Sequence, residues 1–240
     1  MPSERPPLTL VIPAYNEERR LEESLARVRA WLDAHQPRAE VLVVDDGSRD
    51  GTAALVERLA LGWPAVRLLR LGRNQGKGAA TRRGVLEARG EWILCSDADL
   101  STPIEETARL LAAGERAPVV IGSRSIAGAN ITRRQPLHRV AMGRAFNLAV
   151  RTVTPGHHAD TQCGFKLYRH DAARDIFSRL TVDGFAFDAE VLYLAHALGY
   201  PVAEVAVTWH NDERSSVDIW RDPARMLLDI ARVRWRHRKL

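Results

Sequence analysis

The stretch Trp92-Ile93-Leu94-Cys95-Ser96-Asp97-Ala98-Asp99 joins a short apolar run to two acidic side chains. The run over 92–95 has the length and composition of a buried β-strand, and Asp97 comes just past its carboxyl end. Two carboxylates two residues apart at a strand end can hold one divalent cation, because Mg²⁺ and Mn²⁺ prefer oxygen ligands. An Asp-x-Asp triplet is a weak signal by itself, so its meaning depends on the elements around it.

Strands and helices alternate through the first half of the chain. The predicted strands cover 8–12, 41–44, 66–69, 92–95 and 119–121, and the predicted helices cover 17–35, the region of 55–59, 76–89 and 104–113. Such alternation is typical of a doubly wound, mostly parallel sheet, in which ligands bind beyond the carboxyl ends of the strands. Polar clusters follow those ends here: Asn16-Glu17, Asp45-Asp46, Asn74 and Asp97-Ala98-Asp99. The sequence therefore predicts an α/β, Rossmann-like fold with a binding site at that edge.

The alternation loosens after about residue 122. We expect a helical connection over 133–153, a helix over 185–198, a strand over 202–207 and a basic helix over 223–240, while 157–168 is rich in glycine and polar residues. Because there is no internal repeat and no linker composition, a single domain with a C-terminal elaboration is the simplest organisation.

Charge and cysteine content limit the partners and the compartment. The formal net charge of +5 favours anionic partners such as nucleotide phosphates, nucleic acid or anionic lipid, although it also serves solubility. Cys95 and Cys163 have no metal or disulfide spacing, which fits a reducing compartment. No signal-peptide core and no membrane-spanning apolar run occur in the sequence. We therefore expect a cytoplasmic protein whose membrane contact is peripheral, at the inner face of the membrane.

Several other residues are candidates for phosphate or metal contacts. The loop 72–78 precedes a helix, where backbone N–H groups attract phosphate, but it lacks the spacing of a Walker loop. Asp45-Asp46 suits either a turn that caps the next helix or a contact of Asp46 with a base or ribose. Arg124 follows a strand end, and a guanidinium binds phosphate through two N–H groups. His210 also follows a strand and is either a metal ligand or an ordinary strand-end histidine, whereas His157-His158 is interpreted as a polar loop.

Four motifs occur together in an order that is similar to one enzyme family. They are Val11-Ile12-Pro13-Ala14-Tyr15-Asn16-Glu17, Val43-Val44-Asp45-Asp46-Gly47-Ser48, Asn74-Gln75-Gly76-Lys77-Gly78 and Asp97-Ala98-Asp99. In this context they resemble the family 2 glycosyltransferases, from about Thr9 to Val217. The segments 160–166 and 184–190 look like those of the polyprenyl-phosphate hexosyltransferases, especially dolichyl-phosphate glucosyltransferase and, more distantly, dolichyl-phosphate mannose synthase.

The resemblance implies a GT-A fold and an inverting, metal-dependent transfer of a hexose, with UDP-glucose the expected donor. The single domain over 1–240 would contain a nucleotide-sugar-binding half (1–122), an acceptor-side half (123–222) and a basic amphipathic helix (223–240). The positions of the motifs imply a role for each candidate residue. The nucleotide sugar would be bound by Pro13, Tyr15, Glu17, Asp46, Lys77, Asp97 and Asp99. The metal, Mg²⁺ or Mn²⁺, would be held by Asp97 and Asp99, with His210 as a further candidate, and the sugar or acceptor pocket would be lined by Gln162, Lys166, Arg133 and Arg139. Asp99, Arg124 and Asp188 are the candidate catalytic residues.

Two kinds of acceptor are considered, and they give Asp188 different roles. With a polyprenyl or dolichyl phosphate, which is ionised at pH 7, Asp188 would position other groups, whereas with a soluble or saccharide hydroxyl it would act as a general base. The segments 160–166 and 184–190 make a polyprenyl or dolichyl phosphate the expected acceptor. A soluble or saccharide hydroxyl, with a UDP- or GDP-linked donor, is the alternative, because the N-terminal membrane anchor of the eukaryotic glucosyltransferase pattern is missing. The segment 225–240 interleaves arginines with Trp235 and either lies on an anionic membrane or packs on the domain.

Two non-enzymatic alternatives are a nucleic-acid-binding protein and an inactive sugar-nucleotide sensor. The basic residues are not interleaved with stacking aromatics, and the acidic clusters would repel phosphate, so we expect no nucleic-acid partner. The sequence predicts no oligomeric state.

Overall fold

The computed structural model describes residues 5–132, 150, 156, 158–210 and 222–238. Its first elements are β1 (Leu8–Ala14), α1 (Leu21–His35), β2 (Glu40–Asp45), α2 (Thr52–Gly62), β3 (Val66–Arg70), α3 (Lys77–Glu87), β4 (Trp92–Cys95), a 3₁₀ turn (Ile104–Glu106), α4 (Thr107–Gly114) and β5 (Val119–Ser123). Then follow β6 (Asn130–Ile131), β7 (Lys166–Arg169), α5 (His170–Ser178), α6 (Phe187–Ala197), β8 (Val202–Ala206), β9 (Thr208–Trp209) and α7 (Asp222–Arg236). The helical connection predicted over 133–153 lies outside the described residues, except for residue 150.

Seven strands form one sheet in the order β3-β2-β1-β4-β7-β5-β8. β1, β2, β3 and β4 pair in parallel, as do β5 and β8, so the predicted mostly parallel sheet is confirmed. β7 runs antiparallel between β4 and β5 and was not predicted from the sequence. The fifth predicted strand therefore does not pair with the fourth. β6 and β9 form a separate parallel pair.

The two faces of the sheet carry separate hydrophobic cores, because successive side chains of a strand point to opposite faces. One core gathers Val11, Leu42, Val44, Ile93 and Ile121 with residues of α3, α5, α6 and α7. The other gathers Leu10, Ile12, Val43, Leu94 and Val120 with residues of α1, α2 and α4. Helices thus cover both faces, which leaves the strand ends as the accessible edge.

Helix α1 shows how the sequence leaves room at that edge. The predicted apolar face of Leu21, Leu25, Val28 and Leu32 is buried. The helix begins at Leu21 and not at the predicted Glu17. The N–H groups of Glu17 and Glu18 donate to the side chains of Thr52 and Asp50, which hold 17–20 as a turn beside the loop after β2. The side chains of that turn therefore stay at the strand ends. No helix in the described part of the chain is long and apolar enough to cross a membrane.

Candidate active site

The candidate site lies where three parallel strands end side by side. Ser96, the residue after β4, donates its N–H to the Val11 carbonyl oxygen at 3.1 Å, and Asp46, the residue after β2, donates to that of Ala14 at 2.9 Å. The loops that follow β1, β2 and β4 therefore leave the sheet at one edge. Antiparallel β7 enters at the same edge, since Lys166 lies opposite Cys95.

Asp97 and Asp99 are held by a tight turn after β4. The N–H of Leu100 donates to the Asp97 carbonyl oxygen at 3.1 Å, and the N–H of Ser101 donates to Oδ1 of Asp99 at 2.9 Å. Leu100 has a φ of +48°, a left-handed conformation that costs a residue with a β-carbon about 1–2 kcal/mol. Its side chain is buried in the core, and this burial holds the turn that aims both carboxylates.

Lys77, the first residue of α3, forms an ion pair with Asp97. Its Nζ lies 2.5 Å from Oδ1 of Asp97. Burial by itself would lower the pKa of Lys77, but the nearby Asp97 and Asp188 carboxylates raise the pKa above its ordinary value. Burial would likewise raise the pKa of Asp97, and the Lys77 ammonium more than offsets this, so the pKa is lowered. Both groups are therefore charged at neutral pH, with the cation facing the strand end.

Asp99 supplies a second carboxylate next to Asp97. Its Oδ2 lies 4.0 Å from Nη1 of Arg20, which also forms an ion pair with Glu17. Burial and the negative charge of Asp97 raise the pKa of Asp99. Because neighbouring carboxylates disfavour each other's ionised form, an added cation would stabilise both. The pair thus has the charge and the oxygen donors that fit a divalent ion.

His210 does not join the two aspartates. Its backbone N–H donates to the Ser101 carbonyl oxygen at 2.7 Å, and its Nδ1 is hydrogen-bonded with Oγ1 of Thr132. Among the described residues, no group of three or more His, Cys, Asp or Glu side chains is placed to hold a metal ion. The predicted three-residue metal set is therefore not assembled in this structure, because Asp97 faces Lys77 and the His210 ring is hydrogen-bonded to Thr132, the residue after β6.

A second ion pair, between Lys166 and Asp188, is buried. Nζ of Lys166 lies 2.5 Å from Oδ1 of Asp188 and also donates to the Cys163 carbonyl oxygen. Only 1% of Lys166 and 4% of Asp188 is exposed. Buried charges are tolerated as pairs, and loss of one partner leaves an uncompensated charge. One Asp188 oxygen thus accepts a hydrogen bond from Lys166.

Arg124 forms a third pair, with Asp160. Its Nε and Nη2 donate to the two carboxylate oxygens at 2.7 and 3.0 Å, and its backbone N–H donates to the same group at 3.0 Å. Burial would raise the pKa of Asp160, but the Arg124 guanidinium lowers it to about 2. The guanidinium also lies 5.3 Å from the ring centre of Trp209. Arg124, predicted to contact phosphate, therefore has two guanidinium nitrogens committed to protein.

Asp46 fastens the glycine-rich loop to the end of β2. Its Oδ1 accepts the N–H of Gln75 at 2.7 Å, and its Oδ2 accepts the N–H of Gly76 at 2.8 Å. Burial raises the pKa of Asp46, and these two hydrogen bonds oppose that rise. The contacts satisfy both oxygens of this buried carboxylate, and its role in donor binding stays a prediction.

The glycines of this loop allow a close approach of two backbone segments. A β-carbon on Gly76, whose φ is +107°, would lie 2.4 Å from the Asp183 carbonyl oxygen, and one on Gly78 would lie 2.5 Å from that of Val182. The N–H of Ala79, in the first turn of α3, donates to the same Asp183 oxygen at 3.1 Å. These glycines thus pack the start of α3 against 182–183, and that packing places Lys77.

One narrow cavity brings the donor-side and acceptor-side predictions together. Its lining includes Pro13, Lys77, Asp97, Gly164, Lys166 and Asp188. Another cavity, of about 510 Å³, is lined by residues 16–20, Arg49 and Asp50, and thus includes the predicted Glu17. The carboxyl edge therefore has a small ionic cleft between the two lysine pairs and a wider polar cavity beside the turn that precedes α1.

The structure places two of the four remaining candidate site residues. Tyr15 is partly exposed at the end of β1. The backbone N–H of Gln162 donates to Oδ1 of Asp160 at 3.1 Å, which places it beside the Arg124 pair. Arg133 and Arg139 lie outside the described residues.

Sequence reasoning missed Arg20, which links Glu17 to Asp99, and it did not pair the buried charges. A partial signal exists, because Lys166, Asp188 and Glu190 stand among apolar residues and buried charges need partners. The identity of each partner depends on contacts between distant segments.

The chain matches Glycosyl transferase family 2 over residues 9–177. It is 36% identical to "Dolichyl-phosphate beta-glucosyltransferase" of Dictyostelium discoideum over an alignment 243 residues long. The alignment covers 96% of this chain and 74% of that protein. It is 34% identical to the human protein of the same name over 244 residues, covering 96% of this chain and 75% of the relative.

Solved glycosyltransferase structures share the fold. Mannosyltransferase PcManGT from Pyrobaculum calidifontis, in complex with GDP-Man and Mn²⁺, superposes with a TM-score of 0.59 at 23% identity, over 89% of this chain and 59% of that one. Mannosyl-3-phosphoglycerate synthase from Rubrobacter xylanophilus gives a TM-score of 0.68 at 20% identity, over 97% and 74%. The predicted GT-A fold is confirmed, and the chain belongs to glycosyl transferase family 2 and is a glycosyltransferase.

Proposed function

We propose that the chain transfers a hexose, with inversion, from a nucleotide sugar to the phosphate of a polyprenyl or dolichyl phosphate. UDP-glucose is the proposed donor. The names of the relatives support this acceptor and glucose as the sugar. The observation that carries the choice of acceptor is the buried ion pair between Lys166 and Asp188.

This ion pair suits an acceptor that needs no deprotonation. A hydroxyl acceptor requires a base with a lone pair aimed at its proton, and one Asp188 oxygen is instead held by Lys166 at 2.5 Å. A lipid phosphate is already an anion at pH 7, so it needs cations and orientation. Lys166, which lines the cavity, supplies positive charge on that side, and Asp188 positions its ammonium.

On the donor side, the cleft accommodates a departing diphosphate. Asp97 and Asp99 would hold Mg²⁺ or Mn²⁺, and such an ion neutralises charge that develops on a leaving diphosphate. Lys77 lies beside Asp97 and places a second positive charge there. Pro13, Tyr15, Glu17 and Asp46 are the proposed contacts to the nucleoside. Arg124, anchored by Asp160, contributes a fixed positive potential near Asp97.

The proposed step balances without a proton transfer. An oxygen of the acceptor phosphate attacks the anomeric carbon as the bond from that carbon to the diphosphate oxygen breaks. The diphosphate leaves with the bonding electrons, and the configuration at the anomeric carbon is inverted. The residues of the cleft contribute by orienting the two anions and by stabilising the charge on the leaving group.

A pair of matched acceptors tests the proposal. The protein is incubated with labelled UDP-glucose and Mg²⁺ or Mn²⁺, and with either polyprenyl phosphate or the corresponding polyprenol, and the lipid phase is counted. We expect product from the phosphate and none from the alcohol. Product from the alcohol would instead support the hydroxyl-acceptor reaction with Asp188 as base. If neither acceptor is labelled from UDP-glucose, GDP-mannose or other common nucleotide sugars, the proposal fails.

Two aspartate substitutions link the activity to the cleft. Asp97→Asn removes a charge from the proposed metal and diphosphate site, and we expect transfer to fall at least about 100-fold, as for loss of a group that stabilises developing charge. Asp171→Asn is the control, because that side chain is 81% exposed and follows β7 at the opposite edge of the sheet from the site. Equal activity of the two variants would contradict the assigned donor site.

A further inference from the structure

The outward side of helix α7 carries apolar residues that the fold does not bury. Ile230 and Val233 are 2% exposed and pack into the core that contains α6, whereas Leu228 is 59% exposed and Trp235 is 65% exposed. Leu228, Arg232 and Trp235 follow one another at intervals of four and three residues, so they lie on one face of the helix. That face points away from the Ile230 and Val233 side.

Positive charge surrounds these two apolar side chains. Arg232, Arg234, Arg236 and Arg238 are all exposed. Asp229 is the one acidic residue over 228–238, and it is engaged with Arg232 at 3.3 Å. The Arg238 guanidinium lies 5.4 Å from the ring centre of Trp235. The outer face of α7 (228–238) therefore combines a Leu–Trp centre with a cationic margin.

The helix is fixed to the body of the protein near its end. Nε2 of His237 lies 2.7 Å from Oε1 of Glu190, a fully buried residue of α6. Glu190 also accepts the N–H groups of Thr181 at 2.9 Å and Val182 at 2.7 Å. The outer face thus keeps a defined orientation relative to α6, the helix that carries Asp188.

We propose that the outer face of α7 (228–238) docks on the surface of a bilayer that contains anionic lipid. Leucine and tryptophan at the centre of a basic helical face partition into the boundary between headgroups and acyl chains, and each arginine near an anionic surface adds attraction. The proposal deepens the proposed function and rests on its lipid-borne acceptor. A fixed face of α7 on the bilayer would bring the active site of the protein to an acceptor that is embedded in the same bilayer.

Other occupants fit this face less well. A second copy of the chain, related by a two-fold axis, would set one cluster of arginines against the same cluster. A nucleic acid would satisfy the arginines but would leave Leu228 without a favourable contact, because it binds mainly through phosphate charge.

Vesicle flotation with the full chain tests the docking face. The vesicles are either phosphatidylcholine alone or an equal mixture of phosphatidylcholine and phosphatidylglycerol. We expect the protein to float with the mixed vesicles, and binding to weaken at least about tenfold in a Leu228→Ser/Trp235→Ser variant, since each exposed side chain buries apolar area worth roughly tenfold in affinity. Arg234→Gln/Arg238→Gln should weaken binding to mixed vesicles and reduce its dependence on salt.

Leu61→Ser is the matched control, because Leu61 is 89% exposed in α2 and is not part of the outer face of α7. It should bind like the unchanged protein. Unfolding temperatures of all variants are compared first, so that a loss of binding is attributed to the face and not to unfolding. Equal binding of the Leu228→Ser/Trp235→Ser variant and the Leu61→Ser control would overturn the proposal.

Two further outcomes would also overturn it. One is a dimer in solution that the double serine variant abolishes, and the other is salt-dependent binding to RNA or DNA that persists when mixed vesicles compete. Transfer to polyprenyl phosphate dissolved in detergent is measured separately and should survive in the docking variants. If the protein binds vesicles but transfers no sugar, the proposed reaction is refuted while the proposed docking face stands. Failure of the reaction can therefore be distinguished from failure of the docking proposal.

Discussion

Substituting Gly164 by alanine tests whether the position of the Asp97 carboxylate sets the rate of transfer. A β-carbon on Gly164 would lie 2.7 Å from Oδ2 and 2.8 Å from Oδ1 of Asp97. Ordinary contact begins near 3.4 Å, so the carboxylate must retreat by about 0.7 Å if the backbone holds. The short aspartate side chain offers little freedom for that movement, because Oδ1 is also paired with Lys77.

The expected loss follows from the size of this displacement. A misplacement of about 1 Å in an active site costs roughly 100-fold in rate, so a shift of about 0.7 Å should lower kcat/KM by about 10- to 100-fold. Crowding should also lower the free energy of unfolding by about 1–3 kcal/mol. The assay measures labelled lipid at varied donor and divalent-ion concentrations, at a temperature where the variant remains folded.

Gly184→Ala is the matched control for this substitution. Gly184 lies in the other segment that resembles the hexosyltransferases, and a β-carbon there would meet no atom within 4 Å. We expect its kcat/KM to stay within about twofold of the unchanged protein, because the added methyl group would crowd no neighbouring atom. If Gly164→Ala behaves like Gly184→Ala, the reasoning from the Asp97 carboxylate is refuted.

Three further substitutions probe the buried carboxylates. Asp160→Asn should cost about 2 kcal/mol at pH 7, because its folded pKa of about 2 lies below the unfolded value near 4. That stabilisation is complete above pH 4 and is lost as the pH falls through 2. Urea titrations should therefore show that the difference in free energy of unfolding between the variant and the unchanged protein becomes smaller in acid. A difference that does not change with pH would contradict the assignment. Asp46→Asn should cost about 1–3 kcal/mol, because both oxygens accept backbone N–H groups and an amide NH₂ cannot replace either one. Faster hydrogen exchange at Gln75 and Gly76 is the direct measurement, and unchanged exchange would argue against the contact. Glu190→Gln makes the same chemical change but should cost under about 1 kcal/mol, because one oxygen accepts both N–H groups while the other faces a hydroxyl and an imidazole that can accept. Equal losses of stability in Asp46→Asn and Glu190→Gln would show that these hydrogen bonds are wrongly assigned.

The parallel part of the sheet could be predicted because its signals are local. The strand over 92–95 and the buried face of α1 follow from apolar spacing, and the position of Asp97 beyond β4 follows from where that strand ends. β7 lacks such a signal. It is four residues long and begins with Lys166, whose charge is neutralised in the core by Asp188, 22 residues later.

The site shows the same division between local and distant causes. The turn after β4 contains its own hydrogen bonds, so Asp97 and Asp99 were placed correctly at the strand end. Arg124 was predicted to reach phosphate because it follows a strand, yet its partner Asp160 is 36 residues away. No pattern around Arg124 encodes that distance, and the pairing depends on how 158–162 packs against β5.

The place of β7 in the sheet also determines when the protein can complete its fold during synthesis. β4 ends at Cys95, but the strand that covers its free edge is finished only at Arg169. At ordinary elongation rates the ribosome needs about 4–15 s to add the intervening residues. Throughout that interval the apolar edge of β4 is open to pairing with other nascent chains. Translation speed between these two points, and chaperones that cover the edge, should therefore affect the yield of soluble protein.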